Sequence, residues 1–149
     1  MRSEQARWLV GIAVALAGAI AMADEYRSCA GWRIGTDAVA LPACPDRPNC
    51  VSGTLAAVGG QAPSLAEVAR AALAEPRSRL ELRGEQVLIA SFRSRLFKFV
   101  DEAVFLRRGD GSIEYRCGAC SGYYDFGVNA RRMKRILARL STATGEASR

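Results

Sequence analysis

Histidine is absent from the 149 residues of this chain. Ser-His-Asp and Cys-His catalysis, in which an imidazole takes the proton of the nucleophile, are therefore excluded within one chain. Metal sites that need an imidazole ligand are excluded for the same reason. Carboxylates, thiols, arginines and tyrosines are the groups left for chemistry, and we expect neither a cofactor nor a metal.

The sequence has no uncharged apolar run of the length that usually spans a bilayer. The run from Trp8 to Ala23 is 16 residues long, whereas a spanning helix needs about 20. It ends in Ala21-Met22-Ala23, and signal peptidase accepts such small residues before its cleavage site. We predict that residues 1–23 are a signal peptide cleaved after Ala23. The alternatives are an uncleaved anchor in the inner membrane, formed by residues 8–23, and a buried core helix.

Export would place the chain in the periplasm or outside the cell, where its five cysteines can form disulfides. The net charge of +6 favours anionic partners. We expect an anionic lipid, a small-molecule anion or an envelope protein as partner. Nucleic acid is not expected, because no binding motif is present and an exported protein rarely meets it. The chain spans a membrane only if the signal segment is retained.

A Cys- and Pro-rich stretch, residues 24–62, reads as an extended arm before the folded domain. It contains Pro42, Pro45 and Pro48, which forbid a helix there. The domain is predicted over residues 63–141. Residues 142–149 are predicted to form a flexible tail.

Two amphipathic helices are predicted. Ser64 and Glu67 form a capping box at the start of a helix over residues 65–74. A second helix is expected over about residues 130–140, with Asn129 or Asp125 as its cap. Its cations are interpreted as a solvated face or, alternatively, as a surface for anionic lipid: Arg131, Arg132, Lys134, Arg135 and Arg139.

Four segments between the helices have the alternation or β-rich composition typical of strands. They are residues 79–83, 86–93, 103–107 and 112–117. Gly109-Asp110-Gly111 is a hairpin turn signal between the last two. A helix, about four antiparallel strands and a helix predict an α+β two-layer domain. One sheet face would carry the helices, and the other would be open or covered by the arm.

A short loop of prolines and cysteines forms a rigid segment within the arm, which we call the hook. A Cys44–Cys50 disulfide is expected in an oxidising compartment. The alternative is that backbone amides of the hook present a binding edge. The residues assigned to the hook are Cys44, Pro45, Pro48, Asn49, Cys50 and Ser52.

Three segments of this sequence occur together in one known family. The hook reads Cys-Pro-x-x-Pro-Asn-Cys-Val-Ser over residues 44–52, residues 99–105 read Phe-x-Asp-Glu-x-x-Phe, and residues 122–132 read Gly-x-x-Asp-x-Gly-x-Asn-x-x-Arg. Over about residues 41–140 the chain resembles the bacterial domain-of-unknown-function family 1499 (DUF1499). The resemblance implies a domain assignment and brings no activity with it.

The chain departs from the family pattern at two places. Cys117-Gly118-Ala119-Cys120 stands where the family usually has a Ser-rich stretch containing an arginine. Asp101-Glu102 stands where the family has Asp-Asp. A ligand that the usual Ser and Arg bind would be lost or altered in this chain.

The spacing Cys117-x-x-Cys120 has three interpretations. It resembles a thioredoxin-like redox motif, which needs a helix N-terminus behind the first cysteine. It is also consistent with a structural disulfide, either between these two cysteines or to Cys29. The third interpretation is a zinc site shared with Cys44 and Cys50, although the spacing of that pair is wide for zinc.

Arginines and carboxylates near the ends of the predicted strands form the candidate ligand-binding set. An arginine-lined site suits a phosphate or carboxylate, because the guanidinium fork matches such groups. The alternative is a set of salt bridges that hold the turns. Paired carboxylates in acid–base catalysis are a third possibility. The candidate residues are Arg93, Arg95, Asp101, Glu102, Arg116, Asp125 and Asn129.

These observations favour a non-enzymatic exported envelope module that binds an anionic ligand, a lipid headgroup or a partner protein. The alternatives are a histidine-free enzyme that uses the carboxylate–arginine cluster and a thiol-disulfide protein. A more specific hypothesis is that Arg116 forms one wall of an anion site beside Asp125, at the start of the last helix. The alternative is that Arg116 and Asp125 pair and hold the turn.

Overall fold

The computed structural model describes residues 25–29, 31–55 and 62–146. The predicted signal peptide and its cleavage site lie outside these residues. No helix in the described ranges is long and apolar enough to cross a membrane. The elements are β1 Glu25–Arg27, β2 Arg33–Gly35, β3 Cys50–Leu55, α1 Leu65–Leu73, β4 Ser78–Arg83, β5 Val87–Arg93, β6 Val100–Arg107, β7 Ile113–Ala119 and α2 Val128–Glu146.

The predicted α+β fold is confirmed, and its main sheet has five antiparallel strands in the order β3-β7-β6-β5-β4. The sequence predicted about four strands, because β3 lies in the stretch assigned to the extended arm. β3 pairs with β7 and places Gly53 directly opposite Tyr115. A Cβ at position 53 would lie 2.6 Å from the Tyr115 hydroxyl. The close approach therefore needs a glycine, which weakens the alternation that identifies a strand.

Both helices pack on one face of the sheet, which we call the helix face. The predicted capping box is present, since Ser64 accepts from the Glu67 amide and Glu67 accepts from the Ser64 amide. α2 continues to Glu146, beyond the predicted boundary at residue 142, because the apolar stripe marks only the packed part of the helix. The buried core here includes Val68, Ala72, Phe92, Phe105, Ile113, Met133 and Ile136.

The opposite face of the sheet is covered by the arm, so we call it the arm face. β1 and β2 form a short antiparallel hairpin in the arm. A second buried cluster joins arm and sheet: Trp32, Ile34, Leu41, Val87, Ile89, Val104 and Leu106. A disulfide between Cys29 and Cys120 links the arm to the segment after β7. Of the two predicted arrangements, the covered face is the one observed.

Candidate functional site

The hook is closed by the predicted Cys44–Cys50 disulfide, which is confirmed. Its buried Asn49 donates a hydrogen bond to the carbonyl of Gly122 at 2.6 Å. The Asn49 carbonyl accepts from the Ala119 amide at 3.1 Å and from the Asn129 side chain at 3.3 Å. The hook is thus tied to the end of β7 and to the start of α2. The cavity beside it holds about 60 Å³, room for about two waters.

Behind the hook lies a buried set of polar side chains that we call the interlock: Asn49, Asp101, Asn129 and Arg132. Arg132 pairs with Asp101 at 2.9 Å and donates to the Asn129 side-chain oxygen at 2.5 Å. Its guanidinium also lies 4.4 Å from the ring centre of Phe92. The interlock joins β6, the hook and α2. Asp101 and Asn129, both candidate ligand-binding residues, therefore have internal partners.

The start of α2 is capped by Asp125. Its two carboxylate oxygens accept from the amides of Gly127 and Asn129, each at 2.9 Å. Of the two predicted caps, Asp125 is the one used, while the Asn129 side chain points into the interlock. The cap satisfies amide groups that a helix otherwise leaves without partners.

The cations of α2 do not form one solvated face. Arg132 is buried in the interlock. Arg135 and Arg139 donate to the buried Glu75 at 2.6 Å and 2.7 Å. Burial alone would raise the pKa of Glu75, but these hydrogen bonds outweigh it and the pKa is lowered. Sequence reasoning missed Glu75, whose role depends on the packing of α1 against α2.

Cys117 is a free, fully buried thiol. Burial raises its pKa to about 12, so the thiol stays protonated at neutral pH. Its sulfur lies 3.1 Å from the Asn129 side-chain oxygen. The Cys117–Cys120 disulfide is wrong, because strand alternation turns Cys117 to the helix face while Cys120 bonds to Cys29. The two disulfides also occupy three of the four thiols that the zinc interpretation requires.

Arg116 is buried on the arm face with Trp32 stacked 3.7 Å from its guanidinium carbon. It donates to the carbonyl of Pro42. Burial lowers its pKa to about 10, which leaves it cationic at neutral pH. On the helix face, the negative charge of Asp125 helps to raise the pKa of the Cys117 thiol. Arg116 and Asp125 thus have different partners, since the Asp125 carboxylate accepts from the Gly127 and Asn129 amides at the start of α2. The hypothesis of one anion site formed by both is not supported.

Glu102 is also buried beneath the arm. Its carboxylate accepts from the Tyr26 hydroxyl at 2.6 Å and from the Cys29 amide at 3.4 Å. Within the described residues, its second oxygen and the Nε of Arg116 have no hydrogen-bond partner. Both side chains contact the arm. Ser52 lies opposite Arg116 in the β3–β7 ladder and is exposed.

The two remaining candidates, Arg93 and Arg95, are exposed. Arg93 lines a groove of about 430 Å³ at the edge of the sheet, which we call the edge groove. Its lining is Arg77, Ser78, Arg79, Ser91, Phe92, Arg93 and Val100. Sequence reasoning missed Arg77 and Arg79, because only the β4–β5 register brings them beside Arg93. Six of the seven candidates are thus divided among the interlock, the arm face, the helix cap and this edge, and Arg95 lies in the loop after β5.

One end of the sheet carries exposed apolar side chains that sequence reasoning also missed. β5 ends at Arg93 and β7 ends at Ala119, and the register places both beside the start of β6. The connections over residues 94–99 and 120–127 therefore leave the same end, which we call the loop end. Among the described residues, seven of the nine exposed large apolar side chains lie here: Leu96, Phe97, Phe99, Tyr123, Tyr124, Phe126 and Val128.

The aromatic side chains of the loop end contact one another rather than the core. Phe97 stacks on Phe99 with ring centres 5.6 Å apart, and Tyr124 meets Phe126 edge-on at 5.0 Å. Lys98 and Phe126 both have φ of 54°, a left-handed conformation that is uncommon outside glycine. In the sequence, the signal was an aperiodic aromatic and basic stretch between two strands.

A scan against protein families matches residues 40–140 to a family described as "Protein of unknown function (DUF1499)". The match covers more than half of the chain and includes the hook, the interlock and the segment that starts α2. No curated protein sequence matches the chain.

Proposed function

Because the chain belongs to the DUF1499 family, whose description gives no activity, we propose from its geometry that it is a non-enzymatic exported module that docks on anionic membrane surfaces through its loop end. The observation that carries this proposal is the concentration of exposed apolar side chains at one end of the sheet. Several exposed apolar side chains at one end of a domain are typical of an interaction site.

The side chains of the loop end suit a bilayer boundary. Leu96 and Phe97 are 80% and 74% exposed, and Phe126 is 76% exposed. Burying one such side chain stabilises the bound state by about 1.5–3 kcal/mol. Tyr123 and Tyr124 add rings with a polar tip, which favour the level of the headgroups.

The charge around these residues favours an anionic surface over a neutral one. Arg95 and Lys98 lie in the same loop as Phe97, and Arg131 lies in the first turn of α2. None of these cations has a carboxylate partner among the described residues. Each cation near an anionic membrane contributes about 1 kcal/mol. We therefore name an anionic lipid surface as the partner, and not a protein.

Export is part of the proposal. Two disulfides are compatible with an oxidising compartment, and the predicted signal segment supplies the route. The carboxylates considered for catalysis are engaged elsewhere: Asp101 with Arg132, Asp125 in the helix cap and Glu102 beneath the arm. This supports a binding role over a catalytic one.

Vesicle sedimentation tests the proposal. Residues 24–149, which contain every described helix and strand, are mixed with vesicles of phosphatidylcholine with and without phosphatidylglycerol. We expect binding only to the anionic vesicles. Phe97→Ser and Phe126→Ser should each weaken it about tenfold, since tenfold is 1.4 kcal/mol. Added salt should also weaken it, because salt screens exposed charges.

Val39 and Leu73 provide the matched controls, because they are exposed apolar residues outside the two loops of the loop end. Val39→Ser and Leu73→Ser should bind like the parent chain. If all four variants bind alike, or if no variant binds either vesicle, membrane docking by the loop end is wrong. Binding of another protein to the loop end in place of vesicles would also overturn it.

A further inference from the structure

We infer that the edge groove is a second binding site, which takes a phosphate group, either free or in a phosphodiester headgroup. Three arginines and two serines line it: Arg77, Arg79, Arg93, Ser78 and Ser91. Its volume of about 430 Å³ accommodates a phosphate together with a small organic group. The inference concerns a separate site and does not depend on docking by the loop end.

The β4–β5 register builds the groove. Arg79 lies directly opposite Ser91 in the ladder. One residue pair beyond the ladder, the Arg93 amide donates to the Arg77 carbonyl at 3.2 Å. The Nε of Arg77 donates to the Arg93 carbonyl at 2.8 Å. Two of the three arginines are therefore held side by side by backbone hydrogen bonds.

The backbone at Arg77 adds a further constraint. Its φ of 55° is left-handed, which an L-residue rarely adopts. Such strain persists where the surrounding structure enforces it, and it clusters at functional sites. Arg77 is held at this position by its two hydrogen bonds to the backbone of Arg93.

The charge of the groove is not neutralised internally. Within the described part of the chain, none of Arg77, Arg79 and Arg93 has a carboxylate partner. By contrast, Arg132, Arg135 and Arg139 are each paired with an acid. Guanidinium groups bind phosphate oxygens with paired hydrogen bonds, and the Ser91 hydroxyl can add a further donor. The Ser78 hydroxyl already donates to the Leu73 carbonyl at 3.3 Å. Three arginines that line one groove without a carboxylate partner among the described residues therefore favour a phosphate dianion or a phosphodiester.

Edge-strand arginines have another established role, since they prevent the edge from pairing with a second sheet. That role needs charge but no cavity and no particular arginine. A phosphate site requires the specific side chains that face the groove. The two explanations differ in what they predict for phosphate binding. If the groove is a phosphate site, removing one of its arginines weakens phosphate binding more than removing an arginine elsewhere on the sheet.

The source of the phosphate is suggested by the place of the groove. Arg93 is the last residue before the loop of residues 94–99, and Val100 is the first after it. The groove therefore opens beside the loop end. A lipid phosphate at a membrane and a free phosphate compound share the chemistry that the groove recognises, so both are tested.

The experiment follows arginine Nε–H signals by NMR in residues 24–149 during titration with inorganic phosphate, glycerophosphoglycerol and, as a monoanion control without phosphorus, acetate. We expect the signals of Arg79 and Arg93 to shift at lower concentrations of the phosphates than of acetate, because a phosphate group offers more oxygens to several guanidinium groups at once than a carboxylate does. Arg79→Gln and Arg93→Gln should each weaken phosphate binding at least about tenfold. Arg107→Gln, which removes an exposed arginine at the other end of β6, should change it less than about twofold.

A second arm uses vesicles that contain phosphatidylglycerol. If the groove variants lose vesicle affinity while Arg107→Gln does not, the lipid headgroup is the source. If only titration with soluble phosphates responds, a free phosphate compound is the source. If Arg79→Gln, Arg93→Gln and Arg107→Gln bind soluble phosphates and vesicles equally well, the groove is not a phosphate site. This result would leave membrane docking intact if Phe97→Ser still weakens vesicle binding. If the groove variants lose phosphate binding but Phe97→Ser binds vesicles like the parent chain, membrane docking is wrong and the phosphate site in the groove is supported.

Discussion

The interlock and the loop end lie next to each other but differ in which side chains they bury. The interlock buries charged and polar side chains, whereas the loop end exposes apolar ones. In the interlock, the charge of Arg132 is buried, paired with Asp101 and packed on Phe92. At the loop end, Phe97 and Phe126 are exposed while Arg95 and Lys98 have no acidic partner among the described residues. The first region supports the fold, and the second presents a surface.

The contrast explains why residues typical of a family need not be its binding residues. Asn49, Asp101 and Asn129 belong to the segments that identify DUF1499, and each has internal hydrogen-bond partners. They fix the hook and the start of α2, from which the loop end projects. Substitutions in the interlock should therefore act on stability, whereas those at the loop end should act on binding.

The largest loss of stability is expected where the arm is fastened. Replacing Cys29 and Cys120 by serine opens a link across 91 residues and should lower the free energy of unfolding by about 4–5 kcal/mol. Opening Cys44–Cys50, which spans six, should lower it by only about 2 kcal/mol. Urea unfolding of both double variants measures the difference. Equal losses would show that the arm is held by packing alone.

The second largest loss of stability is expected for substitutions in the interlock. Asp101→Ala leaves Arg132 buried without its counter-charge, which we expect to cost about 3 kcal/mol. The same urea experiment measures it, and Glu85→Ala in the exposed turn between β4 and β5 is the control. A loss below about 1 kcal/mol, the range of surface ion pairs, would contradict the interlock as a support of the fold.

The buried Glu75 extends the comparison to pH. Because its pKa is lowered in the folded state, its contribution to stability is present above its unfolded pKa and is lost as the pH falls through the lower folded pKa. Glu75→Gln should cost about 1–2 kcal/mol at neutral pH and should flatten the decline in melting temperature below about pH 4.5. Thermal melting against pH tests this. Parallel curves for variant and parent would mean that other carboxylates control the acid transition.

The loop end should give the smallest change in stability. Phe97→Ser and Phe126→Ser remove side chains that are already exposed, so we expect melting to change by less than about 0.5 kcal/mol. A larger loss in either variant would show that the loop end is part of the core, and the contrast with the interlock would fail.

The sequence predicted the parts of the fold that depend on local patterns. The Ser64–Glu67 capping box and four of the five main strands could be read from spacing and alternation. β3 was not predicted as a strand, because Gly53, which lies beneath Tyr115, removes an apolar position from the alternating pattern. The hook disulfide was predictable because its cysteines are close in sequence.

The candidate site was less predictable because it depends on register and on which face each residue occupies. Arg116 and Asp125 are close in sequence but lie on opposite sides of the sheet. Arg79 becomes a neighbour of Ser91 only through the β4–β5 pairing. The loop end requires two loops that are far apart in sequence to leave the same end of the sheet, which no local pattern indicates.

Amide hydrogen exchange with and without vesicles that contain phosphatidylglycerol tests membrane docking most directly. Membrane docking predicts that amides in residues 94–99 and 121–127 become protected, while those of α1, on the helix face, exchange as before. Phosphatidylcholine vesicles should give no protection. Protection confined to the later turns of α2, around Lys134, would place the contact on the helix cations instead, and unchanged exchange at the loop end would contradict docking altogether.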